Sequence, residues 1–264
     1  MTRTTQPIGI FDSGIGGTSI WKEIHDLLPF EDTLYLSDSK NAPYGNKTKD
    51  EIIALAIKNT EFLLERNSKI IVVACNTATT NAIKVLRQKY SVPFIGIEPA
   101  IKPAALRTKT NTVGILATKG TLNSELFEKT SSNLSSSPII IEQIGEGLVD
   151  LIENGKIDSE EMNTLLSKYL KPMISANADH IVLGCTHYPY LKDQIKSIVG
   201  ASVNIIDSGN AVAIQTKNIL SEHNLLVTGT RTPINQFLIN KNKTVLTKIL
   251  SDYSSRINIE EVDF

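Results

Sequence analysis

The sequence predicts an α/β protein of two pseudo-symmetric lobes, each built on a mainly parallel sheet, with an active site between the lobes. Three observations carry that reading. Short β-branched runs alternate with helical patterns from the first strand onward, as in parallel βαβ units. Two of those runs end in the chain's two cysteines, Cys75 and Cys185, which lie 110 positions apart (185 − 75). Two further strand ends recur in the same order at nearly that spacing: Asp12 and Ala117 are 105 apart (117 − 12), Glu98 and Asp207 are 109 apart (207 − 98). Repetition of this kind points to two similar lobes from an old duplication.

Ile8 to Phe11 reads as a strand, Gly17 to Leu28 as a helix and Thr33 to Leu36 as the next strand. The stretch from Lys49 to Arg66 carries apolar residues at Ile52, Ile53, Leu55, Ala56, Ile57, Phe62, Leu63 and Leu64, a pattern compatible with one helical face and its flank. Ile70 to Ala74 is continuously apolar and largely β-branched, as expected of a central parallel strand covered on both faces. Cys75 then falls at the strand's carboxyl end, with Asn76 and Thr77 able to cap a helix over Ala78 to Lys89. In the second half, His180 to Gly184 is a strand, Cys185-Thr186-His187 its turn, and Tyr190 to Ile198 a helix.

The first lobe is expected to span 1–98 and to be completed by 208–264, with 99–207 forming the second. Pro99 and Pro103 interrupt the pattern at the crossing, and Ser131 to Pro138 reads as a polar, Ser-rich loop. Lys and Arg number 27 against 28 Asp and Glu, a formal net charge of −1. That balance gives no general attraction to nucleic acid or anionic membrane. No apolar stretch approaches the roughly 20 residues that span a bilayer. The polar start, Met1 to Pro7, has no secretory pattern, so a cytoplasmic protein with two free thiols is expected.

Inverting an α-carbon by proton transfer needs one group to remove a proton from one face and another to deliver one to the opposite face. Cys75 and Cys185 suit that task if a helix N-terminus or a neighbour lowers their pKa, since the thiolate is the base. Both lie beyond strand ends, where open α/β sheets bind ligands. With the lobes mouth to mouth, the thiols reach one substrate from opposite sides while helix N-termini hold its carboxylates. The plain alternative for a free cysteine is a small buried hydrophobe.

Asp12 and His187 stand beside the thiols as helpers; Asp12 reads equally as a cap before Gly14-Ile15-Gly16-Gly17. His25, His180 and His223 have no neighbouring thiol and read as structural. The glycine-rich turn, with Asp38 at the end of the next strand, offers a rival reading as a dinucleotide loop. Against it, Ser19 takes the third glycine position and Asp12 sets negative charge where a pyrophosphate would lie. Cys185, His187 and Cys75 resemble a partial zinc set, but no second C-x-x-C or H-x-x-x-H pair completes it, so no metal is expected.

The motifs Asp12-Ser13-Gly14, Pro43-Tyr44-Gly45, Ala74-Cys75-Asn76-Thr77-Ala78 and Gly184-Cys185-Thr186-His187-Tyr188-Pro189 resemble, in order and spacing, those of the glutamate racemases. The resemblance runs from about Ile8 to about Asp207. It implies interconversion of L- and D-glutamate without pyridoxal phosphate or any other cofactor, a supply of D-glutamate for peptidoglycan, a two-lobed fold and a homodimer. It gives Cys75 and Cys185 the acid/base roles, with Asp12 assisting the first and His187 the second. Ser13, Tyr44, Gly45, Asn76, Thr77 and Thr186 become substrate contacts and Glu153 a supporting acid; Thr118, at the strand end that matches Asp12 in the second half, is a further candidate for carboxylate binding. Ser39-Lys40-Asn41-Ala42 departs from the family's usual sequence. Aspartate racemases are similar, and a two-lobed binding protein or a nicotinamide-dependent oxidoreductase are the rivals from other classes.

Overall fold

The computed structural model describes residues 3–132 and 138–264. Strands Ile8–Asp12 (β1), Thr33–Ser37 (β2), Ile70–Val73 (β3) and Phe94–Gly96 (β4) alternate with helices Thr18–Leu27 (α1), Lys49–Glu65 (α2) and Asn76–Lys89 (α3). Ile101–Arg107 (α4) then leads into Thr112–Ala117 (β5), Lys119–Leu122 (α5), Glu125–Ser132 (α6) and Ile139–Ile144 (β6). Leu148–Glu153 (α7), Glu160–Ser175 (α8), His180–Gly184 (β7), Lys192–Val199 (α9) and Asn204–Ile206 (β8) follow. The chain continues through Gly209–Glu222 (α10), Asn235–Ile239 (β9), Lys243–Ile249 (α11) and Asn258–Glu261 (β10).

Two sheets result, with strand orders β10-β9-β2-β1-β3-β4 and β6-β5-β7-β8. Every pairing in them is parallel. The order β2-β1-β3-β4 in the first sheet is the order β6-β5-β7-β8 in the second, so the repeated spacing of strand ends reflects a repeated topology. In each, the chain reverses direction across the sheet beside the first strand, between β1 and β3 and between β5 and β7. Such a reversal leaves a crevice at the carboxyl ends of the strands. β1 and β3 are buried along their whole length, as their unbroken apolar sequences require.

Helix ends follow local chemistry. α2 opens with a capping box in which Thr48 accepts from the Glu51 N–H and the Glu51 carboxylate accepts from the Thr48 N–H at 2.8 Å. At α3 the cap is Cys75 itself, whose Sγ accepts from the Ala78 N–H at 3.4 Å, in place of the expected Asn76 and Thr77. The helix expected over Tyr190 to Ile198 begins later: Tyr188–Leu191 is a 3-10 turn and α9 starts at Lys192. Pro189 lacks an N–H, which favours the tight turn before the α-helical ladder starts. Of the polar tract expected over Ser131 to Pro138, Ser131 and Ser132 are helical, and 133–137 lie outside the described residues.

β9 and β10 extend the first sheet at its β2 edge, with Thr33 opposite Asn235 and Gln236 opposite Asn258. The second sheet ends on the partly exposed β6, where Ile139 is solvent-facing. Between the sheets the carboxyl ends of β1, β3, β5 and β7 converge.

Candidate active site

The β1 end supplies Asp12 and Ser13, the β3 end Cys75, Asn76 and Thr77, the β5 end Thr118, and the β7 end Cys185, Thr186 and His187. Of these, all but Asp12 line one cavity, together with Pro43, Tyr44, Gly45 and Val149. Each thiol therefore comes from a different sheet and faces the same space. The cavity is nearly filled, at about 10 Å³, which is room for about one water molecule. An amino acid enters only if the walls part.

Around Cys75, the thiol donates to Ser13 Oγ at 3.5 Å. Burial, then the charge of Asp12, push its pKa upward, so Cys75 rests as the neutral thiol. The sequence argument from a helix N-terminus expected the opposite direction. Ala78 N–H and Ser13 do favour the thiolate, but they are outweighed by the loss of water.

Asp12 lies behind the cavity wall rather than in it, fully buried. Its Oδ2 accepts from the Gly17 N–H at 2.8 Å and its Oδ1 accepts from Thr186 Oγ1 at 3.4 Å. The capping and helper readings of Asp12 therefore coexist. Burial raises its pKa from 3.8 to about 6, against the opposing pull of His187 and Gly17 N–H. A raised carboxyl favours the fold while protonated, below pH 3.8, and that contribution is lost as pH rises through about 6. Asp12→Asn is expected to stabilise the protein by about 3 kcal/mol at pH 8, with the gain vanishing below about pH 4. Urea denaturation at both pH values checks this, and an equal gain at both would contradict it.

On the Cys185 side, Sγ lies 3.7 Å from His187 Nδ1, and His187 Nε2 lies 2.6 Å from Glu153 Oε1. Burial by itself lowers the histidine pKa, but the bonds to Cys185 and Glu153 and their charges raise it well above the ordinary value. His187 is thus held as the imidazolium, with Nδ1 facing the Cys185 sulfur. The Glu153 carboxylate also accepts from the Ile15 N–H at 2.7 Å and from Ser39 Oγ at 2.8 Å. Both donors belong to the β1–β2 region, so Glu153 ties the first sheet's loops to the second thiol.

These contacts explain the glycines after β1. A Cβ on Gly14 would lie 2.0 Å from Glu153 Oε1, and one on Gly16 would lie 2.3 Å from His187 Nδ1. The turn is glycine-rich to admit two side chains from the other half, and the space a pyrophosphate would need is filled. Asp38 is likewise engaged, accepting from Tyr44 OH, Asn41 and Asn240. The dinucleotide reading finds no site here. Gly16→Ala is expected to cost about 1–3 kcal/mol in a thermal melt through overpacking and to depress activity further by displacing His187. A variant with wild-type melting and turnover would contradict that.

Tyr44 meets the cavity without its hydroxyl, which donates to Asp38 Oδ2 and accepts from Asn59 Nδ2 at 3.0 Å. Thr77 and Thr118 hydroxyls bond each other across the lobes at 2.8 Å, and both reach Thr121. Asn76 differs from its neighbours: both polar atoms of its buried amide lack a hydrogen-bond partner among the described residues. Such a group is costly to bury unless a ligand completes it. Val149, Ser39 and Thr121 were not singled out in the sequence. Only Ser39, in the loop that departs from the family pattern, carried any signal there.

Among the described residues no cluster of three or more His, Cys, Asp or Glu is placed to hold a metal, and no helix is long and apolar enough to cross a membrane.

The family model described as Asp/Glu/Hydantoin racemase matches residues 16–216. A glutamate racemase of Herpetosiphon aurantiacus is 46% identical over 221 residues, covering 84% of this chain and 87% of its own. Among solved structures, a glutamate racemase from Bacillus anthracis superimposes with a TM-score of 0.87 at 30% identity, over 99% of this chain and 98% of its own. The glutamate racemase from Francisella tularensis, solved in complex with D-glutamate, gives a TM-score of 0.85 at 29% identity over 98% of each chain. With a family model matched over most of the chain and relatives this similar along nearly their whole length, the chain belongs to the Asp/Glu/Hydantoin racemase family as an amino-acid racemase of its glutamate racemase group.

Proposed function

We propose that the protein interconverts L- and D-glutamate by direct proton transfer at the α-carbon, without a cofactor, using Cys75 and Cys185 as the two acid/base groups. The observation that carries this reading is two thiols, one from each sheet, in the wall of one closed cavity. One sulfur, as thiolate, takes the α-proton: the C–H bond breaks, an S–H bond forms, and the electron pair stays on carbon. On the opposite face the other thiol gives its proton to that carbon and becomes the thiolate. Either direction uses the same groups with roles exchanged.

Charge placement supports each half. Cys75 rests protonated and ready to donate. An incoming ammonium group lodged toward Asp12 offsets the share of the upward push on the Cys75 pKa that the Asp12 charge adds to burial, so binding itself helps prepare this sulfur to act as base. Across the cavity, His187 and Glu153 hold a proton next to Cys185. The unpartnered Asn76 amide, the Ser13, Thr77, Thr118 and Thr186 hydroxyls, and the Tyr44-Gly45 backbone are donors for the two carboxylates. Exclusion of water strengthens each of these contacts.

The same reading places the lobe boundaries at 1–98 with 208–264 and at 99–207, and it makes the lobes part to admit substrate. It also includes a cytoplasmic homodimer that supplies D-glutamate for peptidoglycan, which light scattering and growth of a depleted strain on D-glutamate would check. The direct test incubates pure protein with L-glutamate and separately L-aspartate, without added cofactor, and follows the D-enantiomer by chiral chromatography. Glutamate is expected to racemise at least about tenfold faster. Preference for aspartate would move the substrate one methylene shorter, and inactivity of folded protein on both would overturn the reading.

A further inference from the structure

Asp38, just past the end of β2, takes no part in the proton transfers, and among the described residues it has no cation within ion-pair distance. It is nevertheless only 1% exposed. A buried carboxylate without a counter-charge is costly unless hydrogen bonds replace the lost water. Here three side chains supply them: Asn41 Nδ2 at 2.8 Å and Asn240 Nδ2 at 2.7 Å donate to Oδ1, and Tyr44 OH at 2.5 Å donates to Oδ2.

The topology explains how these donors meet. β2 and β9 end side by side, with Ser37 opposite Ile239, so Asp38 and Asn240 become neighbours across 202 residues of chain. Asn240 uses both ends of its amide, since its Oδ1 accepts from the Lys40 N–H at 2.8 Å and so staples the turn that leaves β2. That turn also closes on itself, the Asn41 N–H donating to the Asp38 carbonyl at 3.0 Å. Tyr44 then reaches back to Asp38, while Asn59 of α2 donates to the same hydroxyl at 3.0 Å. The buried tyrosine ring is therefore fixed at its far end. The next residue, Gly45, lies against the second sheet, where a Cβ would sit 2.9 Å from Thr118 Cβ. Tyr44, Gly45 and Thr118 all line the catalytic cavity, so any shift of Tyr44 reshapes its wall.

We propose that Asp38 and Asn240 are positioning residues for the substrate: through Tyr44 they fix the Tyr44-Gly45 backbone opposite Thr118, where it grips one carboxylate of the amino acid. This rests on the reading of the cavity given above. A carboxylate remote from the reacting carbon is held equally in the ground state and the transition state, so the network governs affinity and leaves the proton transfers unchanged. The Cys185 arm is independent of it, because Ser39 is held by Glu153 at 2.8 Å and by Ser37 Oγ at 3.1 Å and has no bond to the Asp38 side chain. β9 thus shapes the site without touching substrate.

Asn240→Ala, which removes two of these bonds from outside the cavity, tests the proposal. KM for both glutamate enantiomers is expected to rise at least about tenfold while kcat stays within about threefold. Hydrogen exchange followed by mass spectrometry should quicken at least about fivefold over 40–48 and stay unchanged over β6. Tyr44→Phe should give the same pattern. Asp38→Asn sets an N–H against the Asn240 donor and should be more damaging; combined with Asn240→Asp it exchanges donor for acceptor across the pair, and KM should return to within about threefold of wild type. An unchanged KM, a loss confined to kcat, exchange that quickens throughout the molecule, or a folded exchanged pair no better than Asp38→Asn alone would overturn the proposal. Exchange over 40–48 is read without substrate, so it tests the network even if wild-type protein leaves glutamate unaltered, an outcome that would instead overturn the functional reading.

Discussion

Cys75→Ala and Cys185→Ala are each expected to lower racemisation by at least about 10³-fold in both directions while the protein stays folded. The size follows from the proposed role of each thiol as the proton carrier for one face of the substrate, where positioned acid/base groups contribute roughly 10²–10⁴. Loss in both directions follows if, as proposed, each thiol is the base for one enantiomer and the acid for the other. Cys75→Ala also removes the α3 cap, at a cost of about 1 kcal/mol, so Cys75→Ser, which keeps an acceptor for the Ala78 N–H, separates folding from chemistry. Circular dichroism and thermal melts check the fold. Turnover within about tenfold of wild type for either alanine variant would rule out two equivalent thiols.

The second large effect is expected at Glu153→Gln, with a loss of roughly 10²-fold in kcat/KM. Glu153 does not line the cavity; it acts by holding His187 charged and oriented beside Cys185. Because the two enantiomers are equal in free energy, kcat/KM must fall by the same factor in both directions. The pH profile distinguishes positioning from simple instability. With its folded pKa raised, His187 contributes stability that is full below about pH 6.5 and lost as pH rises through the raised value. Removing the carboxylate's charge lets burial dominate, and the alkaline limb of activity should move to lower pH. An unchanged profile, or full activity, would show that the histidine needs no carboxylate.

Much of this site was legible because it sits where short apolar strands stop. Ile70–Val73 and His180–Gly184 announce buried parallel strands, and in an open α/β sheet the residues just past the strand ends reach the crevice. The spacing of Cys75 and Cys185 then has a topological cause in the matching strand orders. What sequence could not supply were contacts made across the chain. Glu153 meets Ser39 over a separation of 114 residues and Ile15 over 138, and no local pattern records either. The glycines at 14 and 16 look locally like a nucleotide turn, while their cause is the bulk of side chains from the other lobe. β9 and β10 went unseen because Asn235–Ile239 begins polar and Asn258–Glu261 is largely polar and exposed. The ionisation of Cys75 ran against expectation for a related reason: burial and Asp12 depend on tertiary packing, whereas the helix N-terminus is a local feature.

The most direct test of the two-thiol account follows L-glutamate and, separately, D-glutamate in D2O at low conversion, with α-deuterium read in both recovered substrate and product. Two thiols on opposite faces deliver a solvent-derived proton to the product while returning none to the starting enantiomer, so product should carry α-deuterium and recovered substrate almost none, in both directions. Equal early labelling of substrate and product, or product that retains the substrate's own hydrogen, would mean that a single group serves both faces, and the central claim would fall.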